Sequence, residues 1–141
     1  MNEKPATAGL FSLLHAANVA QGHVEEKLAA LGLSLAKLVA LQALAAAGES
    51  LPLGQLAERL SCVKSNVTQL IDRLEADGFV ARKPDPRDRR TRLAVLTAEG
   101  RKACKDGTRV QQQSERGLLS ALSADEARQL GALLSRVGPK R

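Results

Sequence analysis

The stretch Arg82–Thr97, RKPDPRDRRTRLAVLT, decides how this chain folds. From Arg82 to Arg92 it holds six cations (Arg82, Lys83, Arg87, Arg89, Arg90 and Arg92) against only Asp85 and Asp88, a local charge of +4. The 141-residue chain carries +6, so most of its net charge sits in this one segment. Phe79-Val80-Ala81-Arg82-Lys83 and Arg92-Leu93-Ala94-Val95-Leu96 read as two strands, and the proline-rich basic run Pro84–Arg90 between them reads as a turn. The stretch therefore predicts a β-hairpin with a positively charged tip.

Working outward, the periodicity becomes helical on both sides. Leu10, Leu14, Ala17, Gln21, Val24, Leu28 and Leu31 alternate steps of four and three, predicting a first helix over about Thr7–Leu31. Ser34 caps a second helix, Leu35–Ala47, stopped by Gly48. Ser50-Leu51-Pro52 leads into a short helix around Leu53–Leu60, and after a turn at Ser61–Val63 a fourth runs from about Lys64 to Asp77. Beyond the hairpin, Thr97 caps a long polar helix to about Ala121, and the capping box Ser123–Glu126 opens a last one through Val137. The predicted fold is mainly α with a small β-wing, in the order α-α-α-α-β-β-α-α.

Composition agrees, because the 44% apolar content is mostly Leu, Ala and Val, and Ala and Leu are strong helix formers. The length suits one domain. Two cysteines are too few for a disulfide framework, and no run of 18 apolar residues or signal peptide is visible, so a reduced, cytoplasmic protein without a membrane segment is expected.

Two short helices followed at once by a hairpin form a winged helix-turn-helix arrangement. On the fourth helix, Val67, Leu70, Ile71 and Leu74 make one apolar face. The other positions present Lys64, Ser65, Asn66, Thr68, Gln69 and Arg73, groups suited to base edges and phosphates in a major groove. The first acid is Asp72, leaving the N-terminal half, the part a recognition helix inserts, free of negative charge. A wing beside it reaches the minor groove, whose negative potential attracts Arg87, Arg89 and Arg90. Asp88 is expected to pair with a nearby arginine and orient the tip. A charge run alone is more often a solvated loop, but its place after a polar helix favours the groove reading.

The block Leu51–Gly100 resembles the winged-helix core of the MarR family of bacterial transcription regulators. The matching pieces are Leu56-Ala57, Val67-Thr68, Asp72-Arg73-Leu74-Glu75, Gly78-Phe79-Val80, the wing's Asp85–Arg90 and the exit Leu96-Thr97-Ala98-Glu99-Gly100. The resemblance implies one domain over residues 1–141, with a DNA-binding core over about 35–100 and dimerisation helices over about 7–31 and 101–138. It implies a homodimer on pseudo-palindromic double-stranded DNA, acting as a repressor or an activator, with repression expected. It makes Arg90 the wing arginine and Asp88 its salt-bridge partner. It also implies a small-molecule effector, commonly phenolic, between the dimerisation helices and the core. A dimer is reasonable on the residues too, since Leu118, Leu119, Leu122, Leu130, Leu133, Leu134 and Val137 exceed what one winged helix needs for its core.

Other features point less sharply. Phe11 and Phe79 are the only aromatics, so an aliphatic effector pocket is better furnished than a stacking one. His15 and His23 read as surface or satisfied histidines rather than metal ligands, and no cofactor is expected. The family's cysteine-based peroxide sensors keep their reactive cysteine in the first helix, where this chain has none. Cys62, near Lys64 before the recognition helix, is a redox candidate, against the commoner role of filling a turn; Cys104 reads as packing. No P-loop, nucleophile elbow or metal-ligand cluster supports an enzyme. Two readings stand beside specific DNA recognition: a non-specific or architectural nucleic-acid binder, and an adaptor using the winged helix for protein contact.

Overall fold

The computed structural model describes residues 5–60 and 66–138. Its elements are α1 (Pro5–Ala29), α2 (Leu35–Ala46), β1 (Ser50–Pro52), α3 (Leu53–Arg59), α4 (Val67–Ala76), β2 (Val80–Asp85), β3 (Asp88–Leu96), α5 (Ala98–Leu118) and α6 (Ala124–Leu134). The fold is mainly helical with a three-stranded antiparallel sheet in the order β1-β3-β2. Ser34, Thr97 and Ser123 cap α2, α5 and α6 as the sequence predicts, each hydroxyl accepting a backbone N–H in the first turn, and Ser123 with Glu126 completes a capping box.

Four features differ from the sequence reading. The chain has a third strand, β1, which pairs Leu51 with Ala94 of β3. Three residues ending in proline show no alternation of their own; they become a strand only because β3 offers them an edge. The hairpin strands also run further, to Asp85 and from Asp88, leaving only Pro86-Arg87 as the loop. Because β2 is an edge strand, Pro84 can sit in it without breaking a ladder on the outer side. The fourth helix starts at Val67 rather than Lys64, since Asn66 is extended (φ −80°, ψ 111°) and its side chain accepts the Gln69 N–H as N-cap. The ends of α1, α5 and α6 are shorter or shifted by a few residues, as fraying helix termini commonly are.

Leu28, Leu38, Leu41, Leu44, Leu56 and Leu74 are fully buried where α1, α2, α3 and α4 meet, and α5 packs across α1 and α2. The exit motif has a clear packing role. Thr97 Oγ1 donates to the Gly78 carbonyl at 2.6 Å and accepts the Gly100 N–H at 3.0 Å, joining the end of α4 to the start of α5. Gly78 itself has φ +81°, the left-handed turn that ends α4 before the wing.

Candidate nucleic-acid interface

On α4, Leu70, Ile71 and Leu74 are buried and Val67 half-buried, while Thr68, Gln69, Asp72 and Arg73 are exposed on the other side. Asn66 is exposed beside them, but its Oδ1 already accepts the Gln69 N–H at 3.2 Å, which leaves the amide nitrogen as its free donor. Lys64, Ser65 and Cys62 lie outside the described residues. The acids of this element are all engaged. Arg82 of β2 reaches Asp72 Oδ1 through Nη2 (2.7 Å) and Glu75 Oε1 through Nη1 (3.2 Å). Lys37 of α2 holds Asp77 Oδ2, at the C-cap of α4, at 2.8 Å.

Such partly exposed ion pairs are worth only about 0–1 kcal/mol each to stability. Their larger effect is electrostatic and geometric: they neutralise the recognition helix and lash it to the wing and to α2. Arg82 therefore leaves the set of wing cations that its place in the run suggested. Sequence reasoning missed this, because a ten-residue separation between a helix and the strand after it has no periodic signature.

The wing tip is built by its two aspartates. Asp85 Oδ1 accepts the Arg87 N–H at 2.9 Å, and Asp88 Oδ1 accepts the Arg90 N–H at 3.0 Å while its Oδ2 accepts from Thr91 Oγ1 at 3.1 Å. Asp88 thus meets Arg90 through the main chain; no ion pair joins the two side chains among the described residues. The register slips at the same place. Pro84 pairs with Arg92 but Asp85 with Asp88, so Arg89, Arg90 and Thr91 bulge out of the ladder. Bulges re-aim side chains, and Arg87, Arg89 and Arg90 are all exposed with no ion-pair partner among the described residues.

A model of the MarR family matches residues 33–91. The structure superimposes on Sco5413, a MarR family transcriptional regulator from Streptomyces coelicolor, with TM-score 0.82 and 31% identity over 95% of this chain and 93% of that one. The chain belongs to the MarR family.

Mutant MarR from E. coli complexed with operator DNA is similar at TM-score 0.82 and 28% identity, over 99% of this chain and all of that one. The HTH-type transcriptional regulator YkoM of Bacillus subtilis is 38% identical over 86 residues, 61% of this chain; the match spans little more than half, 56%, of that relative. The MarR family consists of transcription regulators, not enzymes.

The remaining candidates are placed as follows. His15 and His23 lie on α1, and no group of three metal-ligating side chains forms among the described residues. Cys104 is buried in α5, and burial pushes its thiol pKa up against a hydrogen bond with Thr108 that pulls the other way. No described helix is long and apolar enough to cross a membrane.

Proposed function

We propose that the chain is a cytoplasmic, homodimeric, sequence-specific DNA-binding repressor. In this reading Thr68, Gln69 and Arg73, with Lys64, Ser65 and the amide nitrogen of Asn66, face the major groove, and Arg87, Arg89 and Arg90 enter the minor groove. The observation that carries it is the clasp of Arg82 on Asp72 and Glu75, which masks the acids of α4 while the wing-tip arginines stay unpaired beside it. The whole chain acts as one domain, with residues 35–100 reading DNA and the flanking helices joining two copies.

Dimerisation is supported by what one copy leaves uncovered. Phe11, Leu14 and Val19 on α1 and Leu133, Leu134 and Val137 at the other end of the chain are 45–66% exposed. So many large apolar groups on α1 and towards the C-terminal end support an interface between two copies. A two-fold pair would set its recognition helices roughly 34 Å apart, one turn of duplex.

Selection of bound duplexes from random DNA tests the reading. A two-fold-symmetric motif is expected. Recovery of merely A·T-rich sequence would replace it with the architectural binder, and failure of any duplex to compete would favour a protein-binding adaptor.

A further inference from the structure

Glu49, in the turn between α2 and β1, is the one non-glycine among the described residues with a positive φ, +79°. A side chain in that left-handed region is strained, and glycine would sit there freely. Three groups of Glu49 each bond a different element. Its N–H donates to the Leu44 carbonyl of α2 at 2.7 Å, and its carbonyl accepts the N–H of Leu96, the last residue of β3, at 2.8 Å. Its Oε1 accepts from Nη1 of Arg101 in α5 at 2.8 Å. Glycine would keep both main-chain bonds, so among the described residues the bond to Arg101 is what the glutamate side chain adds. Both side chains are about half exposed, where an ion pair gives little stability, less than the strain at this φ costs. The pair therefore does something other than stabilise the fold.

We propose that Glu49 is a positioning residue: through Arg101 it fixes the angle at which α5 leaves the DNA-reading core, and so the half-site spacing that a dimer accepts. Arg101 lies in the first turn of α5. Thr97, through the Gly78 carbonyl, ties the start of α5 to the end of α4; Glu49 ties it to the end of α2 and to β1. Two separate ties give the helix a direction that one would not. Further along, Gly107 brings α5 against Leu33 and Leu38. Packing of that kind holds helices together but leaves their crossing angle open by about 15–20°. Because α5 spans 21 residues, a tilt of about 10° at its start displaces its far end by roughly 5 Å, more than the rise of one base pair, about 3.4 Å. That far end leads into the α6 leucines through which two copies are proposed to join. The consequence for DNA rests on the function proposed above; the hold of Glu49 on α5 does not.

The test reads the angle in the full chain, without DNA. Nitroxide labels at Lys83→Cys on β2 and Gln113→Cys on α5, both exposed positions, report the distance distribution between wing and α5 by pulsed electron paramagnetic resonance. The background is Cys62→Ser, diluted with unlabelled protein, and the buried Cys104 stays unlabelled. Glu49→Gly and Arg101→Ala should each widen the distribution about twofold, and together no more than either alone. Glu49→Gln, which keeps an acceptor oxygen at the same reach, should stay close to the parent width. Glu49→Gly should leave the urea midpoint unchanged or raise it, since released strain offsets the freedom that glycine adds to the unfolded chain. On duplexes whose selected half-sites are moved one base pair apart or together, the parent should lose at least roughly tenfold in affinity and Glu49→Gly no more than about threefold. Unchanged widths in Glu49→Gly or Arg101→Ala, or a lowered urea midpoint in Glu49→Gly, would overturn the inference. Absence of a two-fold motif overturns the proposed function and the spacing consequence with it, while the widths still decide whether Glu49 positions α5.

Discussion

The Arg82 guanidinium bridges Asp72 and Glu75, at 2.7 and 3.2 Å, and so couples the first strand of the wing to the solvent side of the recognition helix. One side chain both bonds two carboxylates, offsetting one of their two negative charges near the duplex, and ties together the two elements meant to touch it.

Arg82→Ala should therefore weaken DNA binding by at least tenfold while changing stability by no more than about 1 kcal/mol. Adding Asp72→Asn and Glu75→Gln should recover part of the loss by removing the exposed charge. Fluorescence anisotropy on a selected duplex, paired with urea unfolding, reads both; an affinity loss matched by an equal stability loss would refute the masking role.

At the wing tip, Arg90→Ala should lower the slope of log K against log salt by about 1, the signature of one lost phosphate-region cation. Asp88→Ala keeps every arginine but frees the Arg90 N–H and the Thr91 hydroxyl. It should weaken binding with less change in slope, because the loss is of preorganisation and not of charge. Salt titrations of the two variants distinguish these effects.

Gly100 packs directly under the Phe79 carbonyl. A Cβ placed there would lie 2.0 Å from that oxygen and 2.9 Å from Leu96 Cδ1. Gly100→Ala should destabilise the fold by about 2–3 kcal/mol, since the obstruction is backbone and cannot rotate away. A shift of the urea midpoint measures it, and Gly117→Ala, with open space around it, is the control.

The exposed leucines of the terminal helices predict the assembly. Leu14→Glu combined with Leu134→Glu should give a folded monomer with unchanged helical circular dichroism. Sedimentation equilibrium of the parent should give twice the chain mass; a monomeric parent would contradict the dimer.

Cys104 should stay inert while the protein is folded, because burial raises its thiol pKa and keeps the reactive thiolate scarce at neutral pH. In a Cys62→Ser background, a colorimetric thiol reagent should react with it only at the rate of unfolding.

Local patterns in the sequence were enough for the helices, their caps and the hairpin. Ser34, Thr97 and Ser123 bond to backbone within three residues, and Leu70, Ile71 and Leu74 share a face through helical periodicity alone. The basic character of the wing was likewise present in the bare run Arg82–Arg92. What needed the tertiary structure was every relationship between groups far apart in the chain. Ser50–Pro52 is a strand only beside β3. Arg82 is withdrawn from the DNA-facing charge by acids ten and seven residues earlier, and Ser114 faces a cleft made by three separate helices. Periodicity encodes which face of an element is apolar, but not which partner meets that face, because the partner is chosen by packing the whole chain at once.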